Sequence, residues 1–402
     1  MRITINKGPK MKFGYFQNIH DTTLKQDYEI LLNEMREIAS ICDDGGFSHF
    51  WLPEHHFSIW GRELTPNPIL MAADIAARTN NMRIGLAAAI ITMWHPLRLC
   101  EDISLLDNLS GGRLEVAVGR GNYGLEALNL NPAADPNDQE ANFNVFMETF
   151  QILKAALSNE RFAHKGKFYT YPAPGFKVDR AHTIDDPDYI DPDTGELIKL
   201  SIYPRPKQKP HPPFWQVVSA SPKSLQFAAE NDMGVIMWRH TKSFLKERLK
   251  MYQDFASKSK GEDVPLGART AILRDTFVAE SEADAYKIAG DSVMSALNFS
   301  NWRGPSVYLD PNEILDPKLD KSLNDELTFD FVNNRSLLFG SPEQVTDKIV
   351  ELWEETNIEQ VAFKCSWPGF THEHTIRSIK LLADEVIPAV QKRIQNQAKA
   401  AE

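Results

Sequence analysis

The stretch MRIGLAAAIITMWHPLRLCEDISLLDNLSGGRLEVAVGRGNYG, residues 82–124, decides the fold. It opens with a short apolar run, Met82–Ala88, rich in residues that suit a strand buried on both faces. Pro96 then starts a helical pattern that continues to Asn108, since proline is favoured at the first helical position. The turn Ser110-Gly111-Gly112 follows, and a second apolar run, Leu114–Val118, ends in Gly119-Arg120-Gly121. A strand, a helix and a strand in this order make a crossover unit, which leaves its two strands parallel.

Working outward, the same alternation fills the chain. Strands are expected at Lys12–Phe16, His49–Leu52, Met82–Ala88, Leu114–Val118, Phe214–Val218, Gly234–Met237, Thr270–Val278 and Gln360–Lys364. Helices are expected at Tyr28–Asp43, Pro68–Ala77, Pro96–Asn108, Phe143–Leu157, Pro222–Asn231, Thr241–Lys258, Glu282–Leu297 and Pro342–Glu355, with a last one from Thr371 to about Lys392. Ser221-Pro222 and Ser341-Pro342 each place a capping serine before a proline, and Gln344 completes a capping box with Ser341. Eight strands each followed by a helix predict an α/β chain folded as a single (β/α)8 TIM barrel over residues 1–402, rather than an open doubly wound sheet. Two stretches interrupt the rhythm as insertions: 171–213 after the fourth strand and 299–335 after the seventh helix. Connections of that length are lids or elaborations in a compact domain.

Bulk properties narrow the functional classes. Hydrophobic residues make up 42% of the 402 residues and charged ones 25%, enough apolar material for a large core. The formal net charge of −11 opposes nucleic acid or an anionic membrane as the main partner. The three cysteines, Cys42, Cys100 and Cys365, are too scattered for a disulfide framework or a zinc knuckle. Met1-Arg2-Ile3-Thr4 does not begin a signal peptide, and no 18-residue apolar stretch exists. A cytoplasmic protein is expected.

Residues just after barrel strands face the catalytic rim. There the sequence places Glu54-His55-His56, Gly119-Arg120-Gly121-Asn122-Tyr123, Ser219-Ala220-Ser221-Pro222 and Trp238-Arg239-His240. Adjacent imidazoles serve as acid/base groups or as metal ligands. A metal needs further ligands at suitable spacing, and His372-x-His374 opens a helix among charged neighbours, so no metal is expected. Gly119-x-Gly121-x-x-Gly124 matches a dinucleotide fingerprint, but the Asn-, Asp- and Pro-rich Leu128–Asp138 does not promise the helix that should open there. Glycine then lets a ligand approach the backbone while Arg120 supplies charge. The serine turn at Ser219–Ser224, with Lys223 beside it, either binds a phosphate at a helix N-terminus or simply caps that helix. Trp94, Trp238 and Trp367 each follow a strand and are candidates to wall a substrate pocket.

Taken together these residues resemble the bacterial luciferase-like flavin-dependent monooxygenases. The resemblance runs through Met11–Phe16, Trp51-Leu52-Pro53-Glu54-His55-His56-Phe57, Gly85–Ala89, His95–Arg98, Glu101-Asp102, Leu105–Asp107, Ser110–Arg113, Gly119–Gly121, Ser219–Ser221, Trp238, Phe339–Pro342 and Ile387-Pro388. It implies reduced FMN delivered by a separate NAD(P)H:flavin reductase, and O2 that forms a peroxyflavin and oxygenates a small, largely apolar organic substrate. It implies that His55 is the catalytic histidine, supported by His56 and Glu54. It implies a cis peptide at Ala87–Ala88 under the flavin ring, and FMN contacts from Gly119, Arg120, Tyr123, Ser219, Ser221, Lys223 and Ser224. A homodimer is expected on the same ground.

The sequence also departs from the pattern. Gly119 stands where luciferase proper has a reactive cysteine, so light emission does not follow. Asn142 and Asn144 occupy a region where many relatives carry a phosphate-binding arginine, near Glu148. Related barrels use F420 for hydride transfer, which gives an alternative reading. Another is a non-catalytic flavin-binding partner subunit, against which the retained Glu54-His55-His56 argues.

Overall fold

In the computed structural model, which describes residues 11–178, 186–218, 221–300, 305–311, 313 and 327–401, eight parallel strands close on themselves. They are β1 (Lys12–Phe16), β2 (His49–Leu52), β3 (Arg83–Ile90), β4 (Leu114–Gly119), β5 (Phe214–Val217), β6 (Gly234–Trp238), β7 (Thr270–Val278) and β8 (Gln360–Lys364). Neighbours in sequence pair in order, and β8 returns to β1 with Gln360 opposite Lys12 and Ala362 opposite Gly14. The expected (β/α)8 barrel is therefore present, with strand limits shifted by at most two residues. A ninth strand, Leu338–Gly340, was not expected and lies parallel beside the end of β7.

The barrel interior explains two glycines. Trp51 and Trp215 cross edge to face at 5.8 Å and pack with Ala117, Ala271, Ala362, Ile236 and Leu273. A Cβ on Gly85 would lie 2.0 Å from Trp51, and one on Gly234 would lie 2.4 Å from Trp215. The indoles occupy the volume that neighbouring strands give up, which is how a barrel fills its centre. On the outer faces, Phe13, Tyr15, Phe50, Val116 and Phe363 meet the helical ring.

Below this layer a polar cluster joins the strand starts. Glu115 of β4 accepts from Arg83 of β3, from the indole of Trp215 on β5, and from His49 of β2 at 3.3 Å. Buried charges persist when paired and hydrogen-bonded in this way. The cluster plugs the N-terminal end of the barrel and leaves the C-terminal end for the site.

Helices surround the strands largely where expected. Ser221 caps Pro222–Glu230, and Ser341 with Gln344 forms the full capping box of Pro342–Thr356. One expectation fails here, since a helix does open after the glycine loop, over Gly124–Leu130. It is too short for a dinucleotide crossover, but its first turn reaches the site through Glu126. Phe162, just before the first insertion, pairs with Leu200 inside it, and within the insertion Lys177 pairs with Glu196 and Ile190 with Leu197. The second begins later than expected, because the seventh expected helix continues to Ser300, and it includes the helix Phe329–Ser336. Cys42, Cys100 and Cys365 are all buried free thiols. No helix among the described residues is long and apolar enough to cross a membrane.

Candidate active site

The end of β2 is built around one buried carboxylate. Glu54 is 1% exposed, and its oxygens accept from His56 Nε2 at 2.9 Å, the Ile90 amide at 2.8 Å and the Trp94 indole at 2.9 Å. It thereby ties the loop after β2 to the end of β3 and holds His56 in place. Glu54, expected among the catalytic residues, is bonded to the surrounding frame and also lines the inner cavity beside His55. Trp94, expected in the substrate pocket, spends its N–H on Glu54 and packs against the outer core.

His55 projects from the same loop between two further carboxylates. Its Nδ1 lies 3.3 Å from Glu126 and its Nε2 lies 3.6 Å from Glu63. Glu126 also accepts the His56 amide at 2.8 Å, so the short helix Gly124–Leu130 and the β2 loop are joined at the histidine. Burial lowers the imidazole's proton affinity, but Glu63, Glu126 and Glu54 together outweigh it and raise the His55 pKa. Tyr123 stands 5.6 Å from the ring, and burial with Glu63 beside it keeps its hydroxyl protonated.

His55 is shared by two cavities. The inner one, about 230 Å³, enters the C-terminal mouth of the barrel past Ala87, Ala88, Gly119, Arg120, Gln216 and Trp238. The Ala87–Ala88 peptide is cis, as the resemblance implied. The outer one, about 220 Å³, lies over His55, Glu63 and Tyr123 toward Trp60 and Phe299.

The sequence profile described as luciferase-like monooxygenase fits residues 11–360. The chain belongs to this family. The oxygenase component of a flavin-dependent trigonelline monooxygenase from Acinetobacter baylyi is 26% identical over 386 residues, 94% of this chain and 95% of that one. Among solved structures, the FMN-bound oxygenating constituent of 3,6-diketocamphane monooxygenase from Pseudomonas putida superposes with a TM-score of 0.72. It is 20% identical and covers 94% of this chain and 98% of that one. An F420-dependent tetrahydromethanopterin reductase from Methanopyrus kandleri also superposes, with a TM-score of 0.67 at 18% identity, covering 94% and 99%.

This luciferase-like monooxygenase is thus an oxidoreductase, and its inner cavity fits a flavin on its own evidence. Three residues of its lining, Trp51, Gln216 and Trp238, each carry a buried polar atom with no hydrogen-bond partner among the described residues, a wall suited to a heterocycle with donors and acceptors at its edge. A Cβ on Gly119 would lie 3.1 Å from Ala88, so the floor is open only because side chains there are absent or minimal. At the other end Arg120, Ser221 and Ser224 gather where the helix Pro222–Glu230 begins, a setting suited to a phosphate. Asn142, in the place of the missing arginine, donates to the Arg120 carbonyl at 3.1 Å and fixes that loop.

Other expected site residues lie elsewhere. Trp367 is 1% exposed, donates to Asp275 at 2.7 Å and belongs to a core cluster with Phe277 and Phe339. Lys223 is exposed on the first turn of its helix, outside the cavity lining. Ser219 falls outside the described residues. His372 pairs with Glu37 at 2.9 Å on the surface. Conversely, Glu63 and Glu126 were missed. Glu126 would have followed from allowing a helix directly after Tyr123, whereas nothing in the pattern around Glu63 marks it.

Proposed function

We propose that this enzyme takes reduced FMN from a separate flavin reductase and places one atom of O2 into a small organic substrate, with His55 as its proton-transfer residue. The observation that carries the reading is the position of His55 on the wall common to both cavities. The reduced flavin supplies the two electrons that activate O2. Ala87, Ala88, Gly119, Gln216 and Trp238 would hold its ring, and Arg120, Ser221 and Ser224 its phosphate. Glu126 keeps the proton of the imidazole on Nδ1, which leaves Nε2 to accept and return a proton within the cavities. Glu54 and His56 keep the loop from drifting relative to the cis peptide on β3. The name of the trigonelline relative, an oxygenase component, supports a separate reductase.

The test supplies the protein with FMN, a flavin reductase, NADH and 18O2, and screens candidate substrates, trigonelline and diketocamphanes included, for labelled product. Replacing His55 by Ala is expected to slow labelled-product formation by about 10²–10⁴-fold while FMN binding persists. Unchanged turnover removes the role. The likeness to an F420-dependent reductase sustains a second reading, hydride transfer without O2. Titration with F420 and with FMN separates them, since the first reading requires tighter binding of FMN. A homodimer remains our expectation, to be measured by light scattering.

A further inference from the structure

We infer that the outer cavity is the substrate lobe and that Arg62 anchors an anionic group in it, so that the substrate is a flat, unsaturated or aromatic carboxylate. The inference rests on the monooxygenase reading above and narrows its substrate class. Trp60 and Phe299 form one wall, with ring centroids 5.7 Å apart and planes at 63°, an edge-to-face arrangement that offers aromatic surface to a planar guest. Arg62 lines the same cavity, its guanidinium carbon 4.7 Å from the centre of the Phe299 ring. Its Nη2 donates to the Ser295 hydroxyl at 3.1 Å and its Nη1 to the Ser295 carbonyl at 3.4 Å. Among the described residues it pairs with no carboxylate, although Glu63 follows it in the chain.

A guanidinium carries five N–H donors in a fixed fork, and those left over here suit the two oxygens of a carboxylate. The neighbouring Glu63 and Glu126 are turned to His55 and repel an anion at that end of the lobe. The two effects act in the same direction. They send the anionic end of the guest toward Arg62 and its remaining carbon frame toward His55. A neutral alkanal or ketone would leave the remaining Arg62 donors to solvent, whereas a carboxylate accepts from two of them at once.

Arg62 also ties the loop after β2 to the helix Glu282–Ser300, so the test needs a readout that a tie alone would not move. Isothermal titration of the full-length enzyme with 2-naphthoate and with the neutral 2-naphthamide supplies it. The expected result is naphthoate binding about tenfold or more tightly than the amide, as a charge-assisted bond provides. Arg62→Gln should remove the ratio, Arg62→Lys should keep part of it, and Phe299→Leu should weaken both ligands alike. A wild-type ratio near one, failure of both to bind, or a ratio that survives in Arg62→Gln overturns the proposal. The His55→Ala turnover assay stands apart. If it leaves oxygenation intact while the ratio depends on Arg62, the catalytic reading falls and the anchor stands.

Discussion

Burial alone would drive the His55 imidazole toward its neutral form, but Glu63, Glu126 and Glu54 prevail and raise its pKa above the ordinary 6.5. The pH–rate profile should therefore carry an inflection above that value. Glu63→Gln removes the first of the opposing charges, which favours the neutral ring, so the inflection should move to lower pH. A profile that does not move would show that His55 is not the group titrating. His55 itself was legible from the chain, as neighbouring histidines at a strand end are a local signal. Its carboxylate partners were not, because Glu63 and Glu126 reach it from segments that meet only when the barrel closes. The tryptophans teach the same lesson. Trp94, Trp238 and Trp367 look alike in sequence, yet Trp94 and Trp367 give their N–H groups to buried carboxylates, while Trp238 lines the cavity with an N–H unpartnered among the described residues.

At the scale of elements, strands and glycines are matched across neighbours. Gly85 on β3 makes room for Trp51 on β2, and the fit is so close that a methyl group has no place to go. Gly85→Ala should destabilise the fold by about 1–3 kcal/mol through overpacking. Urea unfolding followed by tryptophan fluorescence measures it, and an unchanged midpoint would mean that the indole relocates freely. Most strands were legible because they are continuous apolar runs between turn signals. Leu338–Gly340 was not, since three residues are too few for a pattern and only their register against β7 makes them a strand. The helix Gly124–Leu130 was hidden for a different reason. Asparagine and proline just beyond it suppress the helical reading of a segment whose end they mark.

The whole molecule separates its duties between the two ends of the barrel. The strand starts carry the Glu115 cluster, and the strand ends carry His55 and its cavities. Burial raises the Glu115 pKa, but His49 and Arg83 outweigh it, so the folded value lies below the ordinary one. A depressed carboxylate contributes stability above its unfolded pKa, about 4.3, and loses it as pH falls through the folded value. Glu115→Gln should accordingly cost about 1–3 kcal/mol at neutral pH, with a shrinking difference from wild type in acid. The pH dependence of the urea midpoint checks this, and a constant difference would assign the loss to packing. The variant should keep the FMN affinity of wild type, because the barrel core stands between it and the cavities. This division was legible from the alternation of elements, since every crossover unit points its strand in the same direction.

The three buried thiols carry a consequence of their own. Burial raises the pKa of Cys42, Cys100 and Cys365, so each is both shielded and held as the unreactive thiol. An added maleimide must wait for the surrounding structure to open, and its rate then tracks the opening equilibrium. The chain thus carries native clocks on the first helix, on the helix after β3 and just past β8. Gly85→Ala should make them run faster in plain buffer, with no denaturant added.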